Sequence, residues 1–559
     1  MIKGNVSLKK NNGKVYYIHQ YRDGKKVINH SIDKEEAFRL SFEINYSKQY
    51  DLEELYNHRF SCDVNYGTKL YSLIANYPQY RCRYLFDDIN HFLYDSEITG
   101  KVLALYGLRR TGKTTLIFQS IIDMELSEFA KTIYIKISNK DNFFSLKEDL
   151  DYLTTHGFKY IFIDEVTLLE DFISMASIFS DIFGLRSKIV LSGTDSLGFM
   201  ITKYHELYDR VIMLHSTYIS YKEFSEVLGI NSIDKYIEYG GTMSIEGVDY
   251  NATKISDGQH YNEYVDSAIA HNIEHSLKHY EDGSHFFSLF SLYEKGELTN
   301  VINRLVEDTN HRFAISVIER SFKSHDYGSL KQLISKQKED DVNSSLKDID
   351  EEKLINELKE ALSIINKEEQ KHQIDENVIK EIDEYLDLLD LCKSVDVVNA
   401  TTFALEKRKV FIQPGLRYAQ AKALLEILMN QESIRKLPKR IRVIIEEKLL
   451  SDIKGRMLEE IVLYQTSLTN KDTFKLVFPI GEIDMVTLNN EEETTNIYEI
   501  KYSRTIDKRQ YAYLNEEKYL TLIENAYYPI KDKVVLYQGK TTKEGDISYI
   551  NVDEYLKSL

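Results

Sequence analysis

The sequence predicts an α/β protein of several domains, one of them built on a parallel sheet covered by helices on both faces. The chain has 559 residues, which suggests about three or four domains rather than a single core. Between residues 90 and 225, four short apolar runs alternate with amphipathic segments: KVLALYG, TIYIKIS, YIFIDEV and KIVLSGT. Such runs are typical of parallel strands buried on both faces. A largely helical region follows, and strand patterns return after residue 445.

The amino-acid composition and the cysteine spacing indicate the cellular compartment in which the protein is expected. The hydrophobic fraction is 43%, and the three cysteines are too widely spaced for a disulfide framework or a zinc site. This pattern indicates a reducing, cytoplasmic environment. The N-terminus lacks the apolar stretch of a signal peptide, and no run of about 18 apolar residues predicts a membrane span. The net charge of −18 argues against nucleic-acid binding by the chain as a whole, although a basic segment can still act locally.

Residues 1–55 are predicted to form a small module of three strands and one helix. VYYIHQY and KKVINHSI have strand composition, and Asn-Gly and Asp-Gly turns separate the strands. Asp33 or Ser31 is expected to cap the helix that begins KEEAFRL. Residues 1–50 carry ten basic and five acidic residues. The module resembles the three-stranded DNA-binding modules of phage-type integrases, and a protein-docking module is the alternative.

A phosphate-binding loop is predicted at residues 107–115, GLRRTGKTT, between the strand KVLALY and a helix. This order lets backbone N–H groups wrap the phosphates while the helix N-terminus adds positive potential. Lys113 is expected to reach the β- and γ-phosphates, and the Thr114 hydroxyl is expected to bind Mg²⁺. The predicted nucleotide-binding residues of the loop are Gly107, Arg110, Thr111, Gly112, Lys113, Thr114 and Thr115.

Two further strand ends carry polar residues. YIFIDE ends in Asp164, expected to hold Mg²⁺ through water, and Glu165, expected to polarise the attacking water. Acids that merely solubilise a strand end are the alternative. KIVLSGT places Ser192 and Thr194 where a sensor of the γ-phosphate would lie, although both residue types are also ordinary in turns.

These motifs, with YDRVIMLHSTYISYKEF and YIEYGG, follow one another as in a widespread prokaryotic family. The chain resembles AAA-type (AAA+) ATPases related to the archaeal ATPase and signal-transducing NTPase groups. The resemblance implies ATP and Mg²⁺ as cofactors, a homo-oligomer, and a nucleotide-contacting arginine before a hydrophobic strand. Arg210 occupies that position, but Asp209 replaces the family's glycine. A salt bridge at a helix end is the alternative role for Arg210.

The same resemblance implies the domain order. The AAA+ core with its P-loop spans residues 56–225, a helical lid residues 226–285, a helical linker residues 286–440, and a nuclease-like domain residues 441–559. In the linker, YLDLLDLCKSVDVVNATTF and KVFIQPGLRYAQAKALLE resemble the last helix and wing of a winged-helix unit. Residues 338–390 hold 18 acidic and 7 basic residues, and their acidity is explained by solvation of exposed helices.

The C-terminal stretch GEIDMVTLNNEEETTNIYEIKYS contains a possible metal site. In YEIKYS, strand alternation places Glu499 and Lys501 on one face. If the two strands form a hairpin around LNNEEETTN, Asp484 and Glu499 lie nearly opposite each other, about 5 Å apart at Cβ. That spacing suits a divalent cation, with Lys501 orienting or activating a water. Glu459, on the helix GRMLEEIV, is expected to join the same metal.

This arrangement is similar to the Glu…Asp…Glu-x-Lys core of restriction-endonuclease-like, PD-(D/E)xK nucleases. The resemblance implies catalytic roles for Asp484, Glu499 and Lys501, and Mg²⁺ or Mn²⁺ held by Glu459, Asp484 and Glu499. The sequence thus predicts an ATP-hydrolysing AAA+ protein with a metal-dependent DNA nuclease domain, in defence or mobile-element biology by analogy of fold. The alternative is a nucleotide-controlled protein or DNA interaction switch whose nuclease-like domain is inactive.

Overall fold

A computed structural model gives the fold of two compact units, the first within residues 1–217 and the second within residues 218–559. The described residues are 4–11, 14–77, 81–194, 196–204, 207–216, 218–241, 243, 287–295, 298, 301–302, 313–314, 316–318, 320–321, 376–388, 391–505 and 508–559. Most of the predicted lid and of the acidic segment 338–390 therefore lies outside the described residues.

The chain begins with a three-stranded antiparallel sheet followed by a helix, as the turn residues predicted. Its strands are β1 (Asn5–Asn11), β2 (Lys14–Asp23) and β3 (Lys26–Ile32), in the order β1-β2-β3. Helices α1 (Lys34–Tyr46) and α2 (Leu52–Asn57) follow. Of the two candidate caps, Asp33 is the one used: its carboxylate accepts the N–H of Glu36 at 2.8 Å.

The helix of this N-terminal segment packs on the elements that follow it in the chain, although the segment was expected to be an independent module. Phe38 of α1 packs edge-on against Phe129 at 4.5 Å between ring centroids and lies 4.8 Å from Tyr71. Phe42, one turn further along, is buried in a second cluster with Phe158. Phe129 and Phe158 belong to the apolar clusters that surround the large sheet of the first unit. The helix is therefore part of that core, because its apolar side chains have their burial partners there.

The first unit is built on a six-stranded sheet in the order β4-β6-β7-β8-β5-β9. Short β4 pairs antiparallel with β6, and the other pairs are parallel. The four predicted apolar strands are all present. The strand bounds are β4 (Asp63–Asn65), β5 (Val102–Tyr106), β6 (Thr132–Lys136), β7 (Tyr160–Asp164), β8 (Lys188–Gly193) and β9 (Val211–His215).

Helices cover this sheet on both faces, and the strand residues alternate between two apolar clusters. Leu103 and Leu105 of β5 belong to one cluster, and Val102 and Ala104 belong to the other. The helices are α3 (Gly67–Ala75), α4 (Leu85–Tyr94), α5 (Lys113–Ile122), α6 (Leu126–Phe129), α7 (Phe143–Thr155), α8 (Phe172–Met175) and α9 (Ser196–Tyr204), with a 3-10 turn at Val166–Leu168 and a π-helical turn at Phe179–Phe183. Burial on both faces explains why the strands are continuously apolar.

The second unit combines helices with a mixed sheet. Its described helices are α10 (Tyr221–Leu228), α11 (Ile233–Tyr239), α12 (Phe287–Glu294), α13 (Glu376–Leu388), α14 (Pro414–Met429), α15 (Glu432–Arg435), α16 (Lys439–Thr469), α17 (Glu517–Ala526) and α18 (Val552–Ser558), with a 3-10 segment at Lys508–Asn515. The 31-residue α16 contributes residues both to the packing core and to the candidate site described below.

Eight strands form the second sheet, in the order β11-β10-β12-β13-β14-β15-β17-β16. They are β10 (Cys392–Asn399), β11 (Leu405–Phe411), β12 (Thr473–Val477), β13 (Glu482–Asn489), β14 (Thr494–Ile500), β15 (Ile530–Tyr537), β16 (Thr542–Glu544) and β17 (Ile547–Asn551). Strands β13 and β14 form the predicted antiparallel hairpin, with Met485 opposite Tyr498.

The predicted boundary at residue 440 does not follow this sheet. A helix and a hairpin, α13 and β10–β11, are present where a winged-helix unit was expected. However, Asp396 of β10 pairs with Phe474 of β12 in a parallel ladder. The hairpin therefore extends the C-terminal sheet, and the sheet combines strands from both sides of the expected boundary. The local sequence predicted the hairpin β10–β11 but not its pairing with β12, because pairing between distant strands depends on packing.

Among the described helices, none combines the length and the apolar character that crossing a membrane requires.

Candidate functional site

The loop between β5 and α5 has the backbone of a phosphate cradle. Gly107 and Gly112 have φ of +140° and +85°, and α5 begins at Lys113 directly after Gly112. Positive φ is easily adopted by glycine, which lacks a Cβ. Arg110 also has positive φ, at +65°, a conformation that costs a non-glycine residue energy and clusters at functional sites. The loop is therefore shaped to direct N–H groups inward at the N-terminus of a helix.

The Lys113 side chain lies inside this loop. Its ammonium donates to the carbonyl oxygens of Gly107 and Leu108, both at 2.8 Å. Burial lowers the pKa of Lys113 to about 8, and the nearby carboxylates of Glu165 and Asp164 oppose part of that shift. The two carbonyls hold the cation at the position from which it can turn to a phosphate.

A buried arginine outside the motif braces the loop. Arg83 donates from Nη1 to the carbonyls of Thr111, at 2.5 Å, and Ser216, at 2.8 Å. The Thr111 and Ser216 hydroxyls lie 2.9 Å apart, and Thr111 also donates to Leu108 O. The Thr111 side chain thus points into the protein, and its hydrogen bonds hold the loop in place. Arg83 connects the loop to the residue that follows β9.

Asp164, at the end of β7, is a hydrogen-bonding hub. Its Oδ2 accepts from the Thr114 hydroxyl at 2.9 Å and from the Tyr134 phenol at 2.8 Å. Its Oδ1 accepts from the Ser192 hydroxyl. The carboxylate is thus fixed beside the hydroxyl of Thr114, so both oxygen groups can bind one Mg²⁺, directly or through water.

Glu165, the next residue, has a left-handed backbone with φ of +57°. Its Oε2 lies 3.4 Å from the Thr194 hydroxyl at the end of β8. Burial raises the pKa of Glu165, Lys113 opposes the rise, and the Asp164 charge adds to it. A carboxylate with a raised pKa next to a cationic loop is suited to accept a proton from a water.

Two more residues were predicted to bind the nucleotide, Arg110 and Thr115, and they differ in exposure. Arg110 is exposed on the loop, and Thr115 is buried on α5 with its hydroxyl 3.5 Å from the Tyr77 phenol. The structure brings together the residues predicted from the loop and from the ends of β7 and β8, namely Gly107, Arg110, Thr111, Gly112, Lys113, Thr114, Thr115, Asp164, Glu165, Ser192 and Thr194.

Arg210 does not join them. It precedes β9, and Val211 pairs with Val102 at the start of β5, whereas the loop follows the end of β5. Five residues of strand separate the two edges, about 16 Å. Arg210 instead forms an ion pair with Asp181, at 2.5 Å to Oδ2. Within its own chain Arg210 therefore lies away from the phosphate loop, and its observed contact is the salt bridge that was the alternative role. The contact of Arg210 with a nucleotide stays a prediction.

A second cluster of charged residues lies in the C-terminal sheet. Asp484 and Glu482 lie on β13, Glu499 on β14, Lys475 on β12, and Glu459 on α16. These five residues come from one helix and three neighbouring strands. The predicted Glu459, Asp484, Glu499 and Lys501 thus belong to one connected cluster, which also contains Lys475 and Glu482.

On the β13–β14 hairpin, Asp484 and Glu499 both form ion pairs with Lys501. The Lys501 ammonium lies 3.1 Å from Asp484 Oδ2 and 2.6 Å from Glu499 Oε2. Asp484 Oδ2 also accepts the N–H of Ile500 at 2.9 Å. Glu499 is 2% exposed, and its Oε1 finds no hydrogen-bond partner in the described part of the chain. A buried carboxylate oxygen without a partner is costly unless a cation or proton satisfies it.

Lys475 is the unexpected member of the cluster. Its ammonium lies 2.9 Å from Glu482, 3.2 Å from Glu459 and 3.6 Å from Asp484, and its side chain is 3% exposed. Arg456 also contacts Glu459, at 2.5 Å. The carboxylates are therefore neutralised by side chains of the protein itself.

These contacts separate the pKa values of the two hairpin acids. Burial favours the neutral form of Asp484, but the ammonium groups of Lys501 and Lys475 outweigh it and hold the Asp484 pKa below its usual range. Burial and the adjacent Asp484 charge raise the pKa of Glu499 well above its ordinary value, and Lys501 only partly opposes the rise. Asp484 is thus the strongly ionised acid of the pair, and Glu499 is the acid that holds a proton more readily.

The carboxylates are close enough to share a cation. One oxygen each from Glu459, Glu482 and Asp484 lies within 4.8 Å of the others. Two oxygens bound to one Mg²⁺ are separated by at most about 4.2 Å, so a small inward movement would complete such a site. The unpartnered Glu499 oxygen is consistent with the same donor set. Oxygen donors of this kind suit Mg²⁺ or Mn²⁺.

Sequence reasoning missed Lys475 and Arg83 and did not assign Glu482 as a ligand. Lys475 had a usable signal, since it interrupts an otherwise apolar strand, TFKLV, and a charge there requires partners. Arg83 had none, because its partners lie 28 and 133 residues away.

Comparison with known proteins supports the first of these sites. Residues 99–225 match the model of a family described as an AAA domain. This segment contains the phosphate loop, Asp164, Glu165 and Thr194. The match supports an AAA-type ATPase domain in the first unit and, with it, ATP binding and hydrolysis. The search of curated proteins gave no match.

Two solved structures are similar in part. The Walker-type ATPase PABY2304 of Pyrococcus abyssi aligns with 13% identity over 60% of this chain and 94% of its own, with a TM-score of 0.27. The S. cerevisiae Hsp104–ADP complex aligns with 12% identity over 67% of this chain and 51% of its own, with a TM-score of 0.22. Scores this low carry no argument about function, so the AAA assignment rests on the family match and the loop geometry.

Proposed function

We propose that this protein is an AAA-type ATPase whose C-terminal domain is a metal-dependent DNA nuclease. The observation that carries the ATPase part is the convergence of Lys113, Thr114, Asp164 and Glu165 at one end of a parallel sheet. The observation that supports the nuclease part is a cluster of four acids with Lys501, in which Asp484 and Glu499 are buried and Glu459 and Glu482 are partly exposed. The defence or mobile-element role predicted from the sequence remains a proposal by analogy.

In the proposed ATPase reaction, Lys113 leaves its two carbonyl partners and neutralises the β- and γ-phosphates. Thr114 and Asp164 would hold Mg²⁺, which when bound would supply neutralisation of the phosphate charge. Glu165 accepts a proton from the attacking water, a role that fits its raised pKa. Thr194, 3.4 Å from Glu165, orients that carboxylate and can report on the γ-phosphate.

In the proposed nuclease reaction, Glu459, Asp484 and Glu499 would hold Mg²⁺ or Mn²⁺, and Glu482 would be an additional ligand that the cluster offers. The metal would supply stabilisation of the charge that develops on the scissile phosphate. Lys501 orients a water or the phosphate, since its ammonium is fixed between Asp484 and Glu499. The buried Glu499 oxygen without a partner supports a cationic ligand at this place.

The interaction switch with an inactive nuclease-like domain is the second candidate, and Lys475 favours it. A buried ammonium in contact with Glu459, Glu482 and Asp484 already provides the positive charge that a metal would bring. If Lys475 stays in place, the cluster is a set of ion pairs that holds α16 against the sheet.

The ATPase proposal is tested by turnover and binding. Lys113→Ala is expected to lose ATP binding, and Glu165→Gln to bind ATP without hydrolysing it, because its shape is kept while its proton acceptor is lost. Glu148→Gln, on the exposed face of α7, is the matched control and should retain activity. Normal turnover in both site variants would overturn the proposal.

The nuclease proposal is tested with linear, circular and single-stranded DNA, with Mg²⁺ or Mn²⁺, and with and without ATP. The wild type is expected to cut at least one form, and Asp484→Asn is expected not to cut. Asp546→Asn, in an exposed ion pair, is the control. A wild type that hydrolyses ATP but neither cuts DNA nor binds Mn²⁺ would leave the switch as the function.

Assembly is the remaining part of the proposal. We expect ATP to favour a homo-oligomer, in which Arg210 contacts the nucleotide of a neighbouring subunit rather than its own. Sedimentation of Glu165→Gln with and without ATP measures this. A monomer at all protein concentrations would contradict it.

A further inference from the structure

The carboxylate of Asp164 accepts hydrogen bonds from several parts of the first unit. Its Oδ2 accepts from the Thr114 hydroxyl and the Tyr134 phenol. Its Oδ1 accepts from the Ser192 hydroxyl and from the N–H of Glu165. Thr114, Glu165 and Ser192 lie in the phosphate loop and at the ends of β7 and β8, where polar residues were predicted. Tyr134, on β6, is the donor that belongs to none of these motifs.

Strand pairing brings Tyr134 to this carboxylate. Strands β6 and β7 run parallel, with Lys136 directly opposite Asp164. Tyr134 precedes Lys136 by two residues, and side chains two residues apart on a strand point to the same face. Tyr134 and Asp164 therefore share one face of the sheet, about 7 Å apart along the strand direction. The long tyrosine side chain spans this distance, and its phenol donates to Asp164 Oδ2 at 2.8 Å.

The ring of Tyr134 is fixed by apolar packing. The residue is 2% exposed and belongs to the apolar cluster that also contains Leu116 and Ile121 of α5. Its ring lies 5.0 Å from that of Phe118, also on α5, at an angle of 64°. A phenylalanine ring would fill the same space. Packing therefore explains the ring but not the hydroxyl, which is costly to bury without a hydrogen-bond partner.

A phenol in a fixed position determines where Asp164 Oδ2 lies. An aspartate carboxylate can rotate about its own side-chain bonds, and a donor that does not move restricts that rotation. The same Oδ2 accepts from the Thr114 hydroxyl at 2.9 Å, the group with which Asp164 would share Mg²⁺. Hydrogen-bond partners of this kind orient metal ligands, and the loss of one typically lowers metal affinity by roughly 10–100-fold.

We propose that Tyr134 is a positioning residue for the Mg²⁺–nucleotide complex, because its phenol holds Asp164 Oδ2 beside the Thr114 hydroxyl. The proposal rests on the proposed ATPase function and adds to it a residue outside the phosphate loop and the ends of β7 and β8. It separates two contributions to binding. The loop contacts the phosphates without Tyr134, whereas the metal depends on Tyr134 through Asp164.

The test compares nucleotide affinity with and without the metal. Binding of AMP-PNP, a non-hydrolysable ATP analogue, to the full-length protein is measured by calorimetry in EDTA and in saturating Mg²⁺, and the ratio of the two affinities is taken. The variant is Tyr134→Phe. The control is Tyr46→Phe, which removes the hydroxyl of another buried tyrosine of the first unit, one without a hydrogen-bond partner in the described part of the chain. Both variants keep the aromatic ring and should fold.

In Tyr134→Phe the ratio of affinity in Mg²⁺ to affinity in EDTA should fall about tenfold, while the affinity in EDTA stays at the wild-type value. The control should keep both values. A wild-type ratio in Tyr134→Phe would overturn the proposal. An equal loss of affinity in EDTA and in Mg²⁺ would also overturn it, because the phenol would then support the site as a whole. A wild type that binds no nucleotide would overturn the ATPase function as well, so the two failures are distinguishable.

Discussion

Replacing Lys475 by methionine tests whether the Lys475 ammonium supplies the positive charge that stabilises Glu459, Glu482 and Asp484. Methionine keeps much of the length of lysine but removes the ammonium, which lies 2.9, 3.2 and 3.6 Å from Glu482, Glu459 and Asp484. The variant leaves three neighbouring carboxylates with less compensating charge. We expect the fold of the second unit to be destabilised and its affinity for a divalent cation to rise.

The size of the first effect follows from burial. The Lys475 side chain is 3% exposed, and removing one partner from a buried ion-pair network costs about 3–5 kcal/mol. The second unit lies within residues 218–559, and at about 2.1 cal/mol/K of unfolding entropy per residue each kcal/mol corresponds to about 1.5 °C in Tm for a unit of this size. The unfolding transition of the second unit should therefore fall by roughly 4–7 °C in EDTA.

A divalent cation should recover part of that loss. At a concentration 100 times Kd, a ligand that binds only the folded state contributes about 2.7 kcal/mol, equivalent to roughly 4 °C for a unit of this size. Differential scanning calorimetry of wild type and Lys475→Met, in EDTA and across a Mn²⁺ titration, measures both effects. Lys471→Met, at an exposed position two residues before β12, is the matched control.

Two results would refute this reasoning. If Lys475→Met unfolds at the wild-type temperature in EDTA, the ammonium does not stabilise the cluster. If Mn²⁺ raises Tm equally in both proteins, lysine and metal do not compete for the carboxylates. The second result would also indicate that any metal binds without displacing Lys475.

Three other outcomes are expected. ATP affinity should fall about fivefold between pH 8 and pH 9, because burial lowers the pKa of Lys113 to about 8 and only the charged amine attracts phosphate. A flat titration from pH 7 to 9.5 would contradict this. Lys501→Ala should lose DNA cleavage while Mn²⁺ still binds, as measured by calorimetry, since an ammonium is not a ligand; loss of metal binding would assign it a structural role. Arg83→Met should weaken ATP binding by loosening the Thr111 carbonyl, and wild-type affinity in that variant would show that the brace is dispensable.

Several features followed from local sequence. Four of the six strands of the first sheet were predicted, because continuous apolar runs reflect burial on both faces. The phosphate loop was predicted because glycine spacing fixes its backbone. Asp484 and Glu499 were expected to face each other because a hairpin's register follows from counting outward from its turn. In each case the information lies within a few tens of residues.

The remaining features depend on partners far away in the chain. Arg210 matched a motif, yet the strand order places it at the sheet edge opposite the phosphate loop. The hairpin β10–β11 was visible locally, but its pairing with β12 was not. The local sequence assigned no role to Lys475, because the acids that surround it lie on α16 and β13 and meet it only in the packed structure. Sequence alone determined which elements form and which chemical groups they carry; only the tertiary structure decided which groups meet, because burial and long-range strand pairing are properties of the packed chain.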